Sequence, residues 1–290
     1  MPTAEGRMNH CQIINAMSVD VEDYFQVYAF DSNVRFEDWN SYECRIPRNT
    51  ERILQIFADA GVKATFFTLG WVAQRFPELV RCIVDEGHEL ASHGMHHVRA
   101  SQQTPDEFRS DVLQTKSVLE DVSGRQVLGY RAASYSIGAK NLWALDILAD
   151  CGHTYSSSIY PIRHDFYGMP EAPRFAFQAA HGRLKEIPVT TVQLLGQKIP
   201  CGGGGYFRLL PYGYSKWAIR RVNNVDRQAA IFYFHPWEID PQQPRIAGAS
   251  LKSRVRHYTN LDVMEARIRQ LLKDFKWGRM DQIFLAVGGA

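Results

Sequence analysis

Two histidines stand four apart in Ser92-His93-Gly94-Met95-His96-His97. On a helical turn, positions i and i+4 leave one face, so His93 and His97 can share one metal ion there. The same stretch also reads as a surface histidine cluster, since His96 stands between the two and the chain holds 10 histidines. Three further groups with chemical capacity follow short apolar runs. Asp20 heads Asp20-Val21-Glu22-Asp23 after residues 12–19, Arg131 follows residues 127–130, and His235 follows residues 230–234. Acids, imidazoles and a guanidinium at strand ends are where an α/β barrel gathers its chemistry. That four such groups sit after strand-like runs favours the metal site over the surface cluster.

The elements that position them follow from periodicity and punctuation. Strands are expected over 12–19, 62–69, 88–92, 127–130, 154–157, 187–192 and 230–234. Helices alternate with them. One is capped by Asn49 or Thr50, carries Ile53, Leu54 and Phe57 inward, and closes at Gly61. Another begins at Pro77 and stops at Gly87. Thr104-Pro105-Asp106-Glu107 is a capping box for a helix with Phe108, Val112, Thr115 and Leu119 on one face. Residues 140–150 form a further helix, and Thr259 or Asn260 caps a last one bearing Leu261, Met264, Ile268, Leu271 and Phe275. Strands alternating with helices give an α/β barrel pattern.

Bulk properties exclude several classes. The chain of 290 residues has 45% hydrophobic and 22% charged residues, as an ordinary globular core requires. A net charge of +2 offers no case for nucleic acid or an anionic membrane. Five scattered cysteines with no C-x-x-C pair argue against a disulfide framework and a thiolate zinc site. The first 17 residues lack a signal-peptide pattern, and no run approaches a transmembrane helix. The cytoplasm is therefore the expected compartment, with residues 1–16 as a disordered tail and 17–290 as one domain.

The motifs resemble those of the polysaccharide deacetylases of the NodB-homology superfamily (carbohydrate esterase family 4), and more closely the branch found beside exosortase and exopolysaccharide loci. The resemblance rests on Ser18-Val19-Asp20-Val21-Glu22-Asp23-Tyr24-Phe25, on residues 92–97 and 129–135, on Tyr155 to Pro161, and on Phe232 to Asp240. Branch-specific stretches are 163–168, 203–211 and 258–262, and residues from about 240 to 290 form a branch-specific C-terminal part. The fold this implies is a distorted (β/α)7-type barrel. The implied reaction is removal of N-acetyl groups from N-acetylhexosamine units of a polysaccharide or its lipid-linked precursor, by a water that a divalent metal activates. The metal expected is Zn²⁺, with Co²⁺, Ni²⁺ or Fe²⁺ compatible. Carried over, Asp20 is the general base, Arg131 orients it, and His235 is the general acid. His93 and His97 are metal ligands, with the backbone near 132–135 as an oxyanion site.

The third ligand departs from the family pattern, because Asp20 is followed by Val21 rather than a second aspartate. Glu22, on the same side as Asp20 of an extended segment, is preferred to Asp23. Two further departures are Ala133 in place of a proline and Ser156 in place of an aspartate. The second leaves open what tunes His235. Tyr135, Tyr206 and Trp237 are candidate sugar platforms, and Arg163, His164 and Arg208 candidate holders of a phosphate on a lipid-linked or nucleotide sugar. Two other activities compete: hydrolysis of small cyclic amides or ureides on the same fold, and carbohydrate binding without catalysis.

Overall fold

A computed structural model describes residues 13–165 and 167–285. Its strands are β1 (Ile14–Val21), β2 (Thr65–Thr68), β3 (Glu89–Ser92), β4 (Gly129–Tyr130), β5 (Tyr155–Ser156), β6 (Phe177–Ala179), β7 (Leu184–Glu186), β8 (Thr191–Leu194), β9 (Gln197–Pro200), β10 (Ile231–Phe234) and β11 (Lys276–Gly278). The main sheet runs β10-β1-β2-β3-β4-β5-β7-β6, with β11 beside the start of β1. All its neighbours are parallel except β6 and β7. The architecture is a curled parallel sheet with helices packed outside; β6 ends the order on one side, and on the other β10 makes a single parallel bridge from Tyr233 to Gly203.

Parallel strands covered on both faces read as unbroken apolar runs. Thr65-Phe66-Phe67-Thr68 and Ile231-Phe232-Tyr233-Phe234 are buried at every position. Alternation then sorts the two faces. Met17, Val19, Phe66 and Phe232 face outward, into the same cluster as Ile53, Leu54 and Phe57 of helix Ile46–Ala60 and Ile268 and Leu271 of helix Met264–Asp274. Ala16, Phe67, Tyr155 and Ile231 share the inner cluster with Met280. Ser18 and Asp20 share the parity of Ala16, which puts the Asp20 carboxylate inside the curl.

Several expected boundaries move for identifiable reasons. Helix Pro105–Ser123 has the expected capping box: the Glu107 N–H donates to Thr104 Oγ1 and the Thr104 N–H to Glu107 Oε2. Helix Ile46–Ala60 starts before the expected Asn49 and Thr50, because a distant carboxylate serves its first turn; Asp23 Oδ2 accepts from the N–H groups of Arg45 at 2.6 Å and Ile46 at 3.1 Å. Of the strand expected over 187–192, only Thr191 and Val192 are in a strand, at the start of β8; β7 ends at Glu186, before Pro188, whose missing N–H cannot join a ladder. The hairpin β8–β9 and the helices Gly204–Leu209, Tyr212–Arg221 and Leu251–Tyr258 were not expected. The helix expected after Thr259 and Asn260 begins at Met264, and a further short helix, Met280–Phe284, follows it. Residues 1–12 of the expected tail lie outside the described residues, whereas Ile14, Asn15 and Ala16 are part of β1. No helix among the described residues is long and apolar enough to cross a membrane.

The end of the curl opposite the chemistry is closed by a polar network. Glu89 accepts from Tyr155 Oη at 2.8 Å and from Thr65 Oγ1 at 2.5 Å, and Thr65 Oγ1 accepts from the Met280 N–H at 2.8 Å. The Tyr155 ring passes directly over Gly129, where an added Cβ would lie 2.2 Å from its Cζ. Gly129→Ala should therefore destabilise the protein by about 1–3 kcal/mol through overpacking, read as a lower urea midpoint with an unchanged m-value.

Candidate active site

The histidine stretch leaves β3 as a loop, not as the helical turn its spacing suggested. Gly94 (φ 80°) and His97 (φ 56°) both take the left-handed conformation, and this curls the segment on itself. The loop is pinned on two sides. Gly70 and Trp71, at the start of helix Gly70–Arg75, donate their N–H groups to the carbonyls of Gly94 and Met95, each at 3.0 Å. Asp111 accepts the Met95 N–H at 3.2 Å. The result brings the His93 and His97 rings to 5.2 Å between centroids.

Glu22, just beyond β1, completes the group. One ligand atom from each of Glu22, His93 and His97 lies within 4.8 Å of the others, and Glu22 Oε2 is 2.7 Å from His97 Nε2. The donor chemistry suits a divalent cation such as zinc. His93 Nδ1 lies 2.8 Å from the Arg131 carbonyl, as N–H donor to that oxygen, so its unprotonated Nε2 faces the group. Burial pushes His93 down to about 4, which keeps it neutral. Burial alone would raise Glu22, but the charges of His97 and His235 outweigh it and hold the carboxyl at about 2. Asp23, the alternative ligand, is turned away: its oxygens accept from the N–H groups of Tyr24, Arg45 and Ile46.

Arg131 emerges from β4 fully buried. Its Nη1 donates to Asp20 Oδ1 at 2.5 Å and to Ser18 Oγ at 2.9 Å, and its Nε and Nη2 go to the carbonyl and hydroxyl of Ser157. The other Asp20 oxygen lies 3.9 Å from His235 Nε2, which is also 3.4 Å from Glu22 Oε1. These groups floor a cleft of about 220 Å³. Tyr135, Tyr167, Tyr233 and Trp237 wall it, and His164 and Arg256 reach its rim. The Tyr135 hydroxyl is buried there without a hydrogen-bond partner among the described residues. In the proposed oxyanion stretch, the Ala132 and Tyr135 N–H groups are taken by Ser158 Oγ and the Ala132 carbonyl, which leaves those of Ala133 and Ser134.

Three expected substrate contacts lie elsewhere. Arg208 is fully buried and ion-paired to Glu238 at 2.8 Å, so it cannot hold a substrate phosphate. Arg163 is exposed and Tyr206 half-buried, and neither lines the cleft. Tyr135, His164 and Trp237 do line it.

Glu238 escaped sequence reading. Its Oε2 accepts from His235 Nδ1 at 3.1 Å and from the His235 N–H at 3.0 Å. The spacing was legible in principle: His235-Pro236-Trp237-Glu238 has the capping-box separation with proline first, and the 3-10 turn Pro236–Ile239 follows. Near Ser156, where an acid was missing, Glu186 supplies a carboxylate. It accepts from the N–H groups of Ser158 and Ile159 at 2.9 Å and serves the strand end, not His235.

Residues 30–156 match the family model described as polysaccharide deacetylase, and residues 157–285 match a domain of unknown function, DUF3473. The chain is 36% identical over 75 residues to a peptidoglycan-N-acetylglucosamine deacetylase of Bacillus cereus, covering 26% of this chain and 27% of that protein. It is 33% identical over 103 residues to a chitooligosaccharide deacetylase of Bradyrhizobium sp., covering 36% and 45%. Each alignment thus spans less than half of the relative. The fold is similar to a crystal structure titled a polysaccharide deacetylase from Mycobacterium smegmatis, with a TM-score of 0.59 at 20% identity, covering 92% of this chain and 87% of that one.

Two outcomes follow from this geometry. Glu22→Ala should weaken Zn²⁺ binding by more than about 100-fold, beyond what loss of an outer partner does, while Asp23→Ala should keep the affinity and lose about 0.5–2 kcal/mol as a missing helix cap; calorimetric titration and urea melts separate the two. The second outcome concerns acid. Burial would raise Glu238, but Arg208 and then His235 hold it at about 2, against 4.5 when unfolded. Its stabilising share is complete above pH 4.5 and is lost as pH falls towards 2, on the order of 3 kcal/mol in all. Glu238→Gln should remove that part of the acid slope from the pH dependence of unfolding.

Proposed function

We propose that the chain, whose residues 30–156 match the polysaccharide deacetylase family, removes N-acetyl groups from N-acetylhexosamine units of a polysaccharide or its lipid-linked precursor, of the kind used in exopolysaccharide synthesis. The observation that carries this reading is the meeting of Glu22, His93 and His97 with Asp20 and His235 at the floor of one aromatic-walled cleft. Glu22, His93 and His97 would hold a divalent metal, which when bound lends Lewis acidity to a water and to the acetyl carbonyl.

The chain's own residues do the rest. Sugar rings present C–H faces that pack on Tyr135, Tyr167 and Trp237, and the unpartnered Tyr135 hydroxyl offers a hydrogen bond. Asp20, held by Arg131 through Oδ1, keeps Oδ2 towards the cleft and takes the proton of the attacking water. The water oxygen bonds to the acetyl carbon. The C–N bond then breaks, its electron pair goes to nitrogen, and His235 Nε2 supplies the proton that makes the leaving group an amine. Acetate and the free amino sugar are the products. The N–H groups of Ala133 and Ser134 would serve as donors to the charge that develops on the acetyl oxygen.

The test is acetate release from N-acetylglucosamine oligomers and from lipid-linked N-acetylhexosamine by the Zn²⁺-loaded chain. Turnover should vanish with chelator and return with metal. Asp20→Asn should slow turnover by about 10²–10⁴-fold, the usual worth of a positioned base, with metal content unchanged. A metal-replete protein that releases no acetate from either substrate refutes the reading and leaves carbohydrate binding as the function.

A further inference from the structure

We propose that Glu238, backed by Arg208 and admitted by Gly204, is the positioning residue that sets the tautomer and ring plane of His235; this rests on the deacetylase reading for its chemical consequence.

The geometry is over-determined. A single oxygen, Glu238 Oε2, accepts from both His235 Nδ1 at 3.1 Å and the His235 N–H at 3.0 Å, which ties the ring to its own backbone. The other oxygen, Oε1, takes Arg208 Nε at 2.8 Å. Arg208 is itself fixed by the carbonyls of Arg256, His257 and Thr259 at 3.2, 3.0 and 2.6 Å. Both partners of this pair are 1% exposed, so the carboxylate has little freedom to leave. Trp237 stacks on the His235 ring at 5.2 Å and 13°, and Tyr233 meets it edge-on at 5.7 Å and 89°.

Gly204 shows that the space is reserved. Its φ is not in the left-handed region, so the backbone makes no demand for glycine. A Cβ at that position would lie 2.1 Å from Glu238 Oε2. Gly204 and Arg208 are four apart on helix Gly204–Leu209, hence on one face. One short helix thus supplies both the gap and the guanidinium for one carboxylate. All three residues fall in the segment matched by the domain of unknown function, outside the deacetylase match at 30–156.

The consequence lies at the far ring nitrogen. With Nδ1–H held by Glu238, Nε2 is the atom left to face Asp20 and Glu22. Only the doubly protonated ring then carries a proton at Nε2, and this is a far stronger acid than neutral imidazole. In Glu238→Gln, the charged Arg208 keeps the amide oxygen, so the NH₂ group faces both Nδ1 and the His235 N–H; the backbone donor loses its acceptor, and only the ring can adjust. Two donors cannot meet there, and the neutral ring must move its proton to Nε2.

Two measurements test this. Long-range ¹H–¹⁵N spectra of the full chain should show His235 protonated at Nδ1 near neutrality, and Glu238→Gln should switch the neutral ring to the Nε2–H tautomer. In kinetics, Glu238→Gln should lower kcat for N-acetylglucosamine oligomers by about 10–100-fold with KM within about twofold. Hydrolysis of 4-nitrophenyl acetate, whose leaving group needs no proton, should change by less than about threefold. Gly204→Ala, which displaces the carboxylate without removing its charge, should reproduce the same split and covers the case in which Glu238→Gln does not fold. An unaltered tautomer, or amide and ester rates falling together in both variants, overturns the proposal. Absence of acetate release from wild type overturns the deacetylase reading alone, and the tautomer measurement still decides this one.

Discussion

The structure depends on one buried ion pair. Arg131 and Asp20 are 0% and 2% exposed, and moving either charge out of water costs several kcal/mol unless every donor is met. Here they are met: Nε, Nη1 and Nη2 each have an oxygen partner, and the guanidinium lies 3.9 Å over the Phe67 ring. A planar fork can reach Ser18 and Asp20 on β1 and Ser157 beyond β5 at once, which an ammonium group on a single stem cannot. The same residue's carbonyl fixes the His93 ring. The base and one metal ligand of the proposed site are thus held by opposite ends of one side chain and its backbone. A shift of β4 against β1 would disturb both together.

Much of this was legible because strand alternation is strict. The parity that buries Ala16 and Ser18 also buries Asp20, and the extended continuation carries Glu22 to the same side. Asp23, of opposite parity, instead reaches back to cap a helix that begins 23 residues later. The strand ends at which Asp20, His93, Arg131 and His235 stand were readable from the short apolar runs that precede them. What was not readable depends on chain reversal or on burial. No pattern announces that His97 adopts a left-handed conformation, so the loop that joins the histidines looked like a helical turn. Strands β6 and β11 are three residues each, too short for any period to show. Arg208 was grouped with exposed cations because sequence gives charge without depth. It lies 30 residues from its carboxylate partner, and only the packing of helix Gly204–Leu209 on β10 brings them together.

Labour is divided along the chain. Glu22, His93 and His97 come from its first third, whereas His235, Glu238 and Arg208 come from its last. The second segment carries more than a lid or a spacer. It contributes β10, which pairs with β1 over Ala16 to Val19 and delivers His235 to within reach of Glu22. It also contributes Tyr167, Tyr233 and Trp237 to the cleft wall. The deacetylase match at 30–156 contains two of the three proposed ligands and leaves Asp20, Glu22 and His235 outside it, so the proposed site draws on residues beyond that match.

This arrangement has a consequence for synthesis on the ribosome. β1 lies between β2 and β10 in the finished sheet, and Ser18 Oγ bonds to the Phe232 carbonyl across 214 positions. At about 5–20 residues per second, β1 waits roughly 10–40 s for that neighbour to be made. Through that interval it presents an unpaired apolar edge, the kind of surface on which nascent chains associate wrongly. The polar end of the same strand leads straight to Glu22, and the two histidines follow soon after, so the proposed ligands emerge well before the proposed proton donor. β10 therefore covers that edge of β1 and delivers His235 beside Glu22 in one event, so pairing of the sheet there and assembly of the proposed site are a single step.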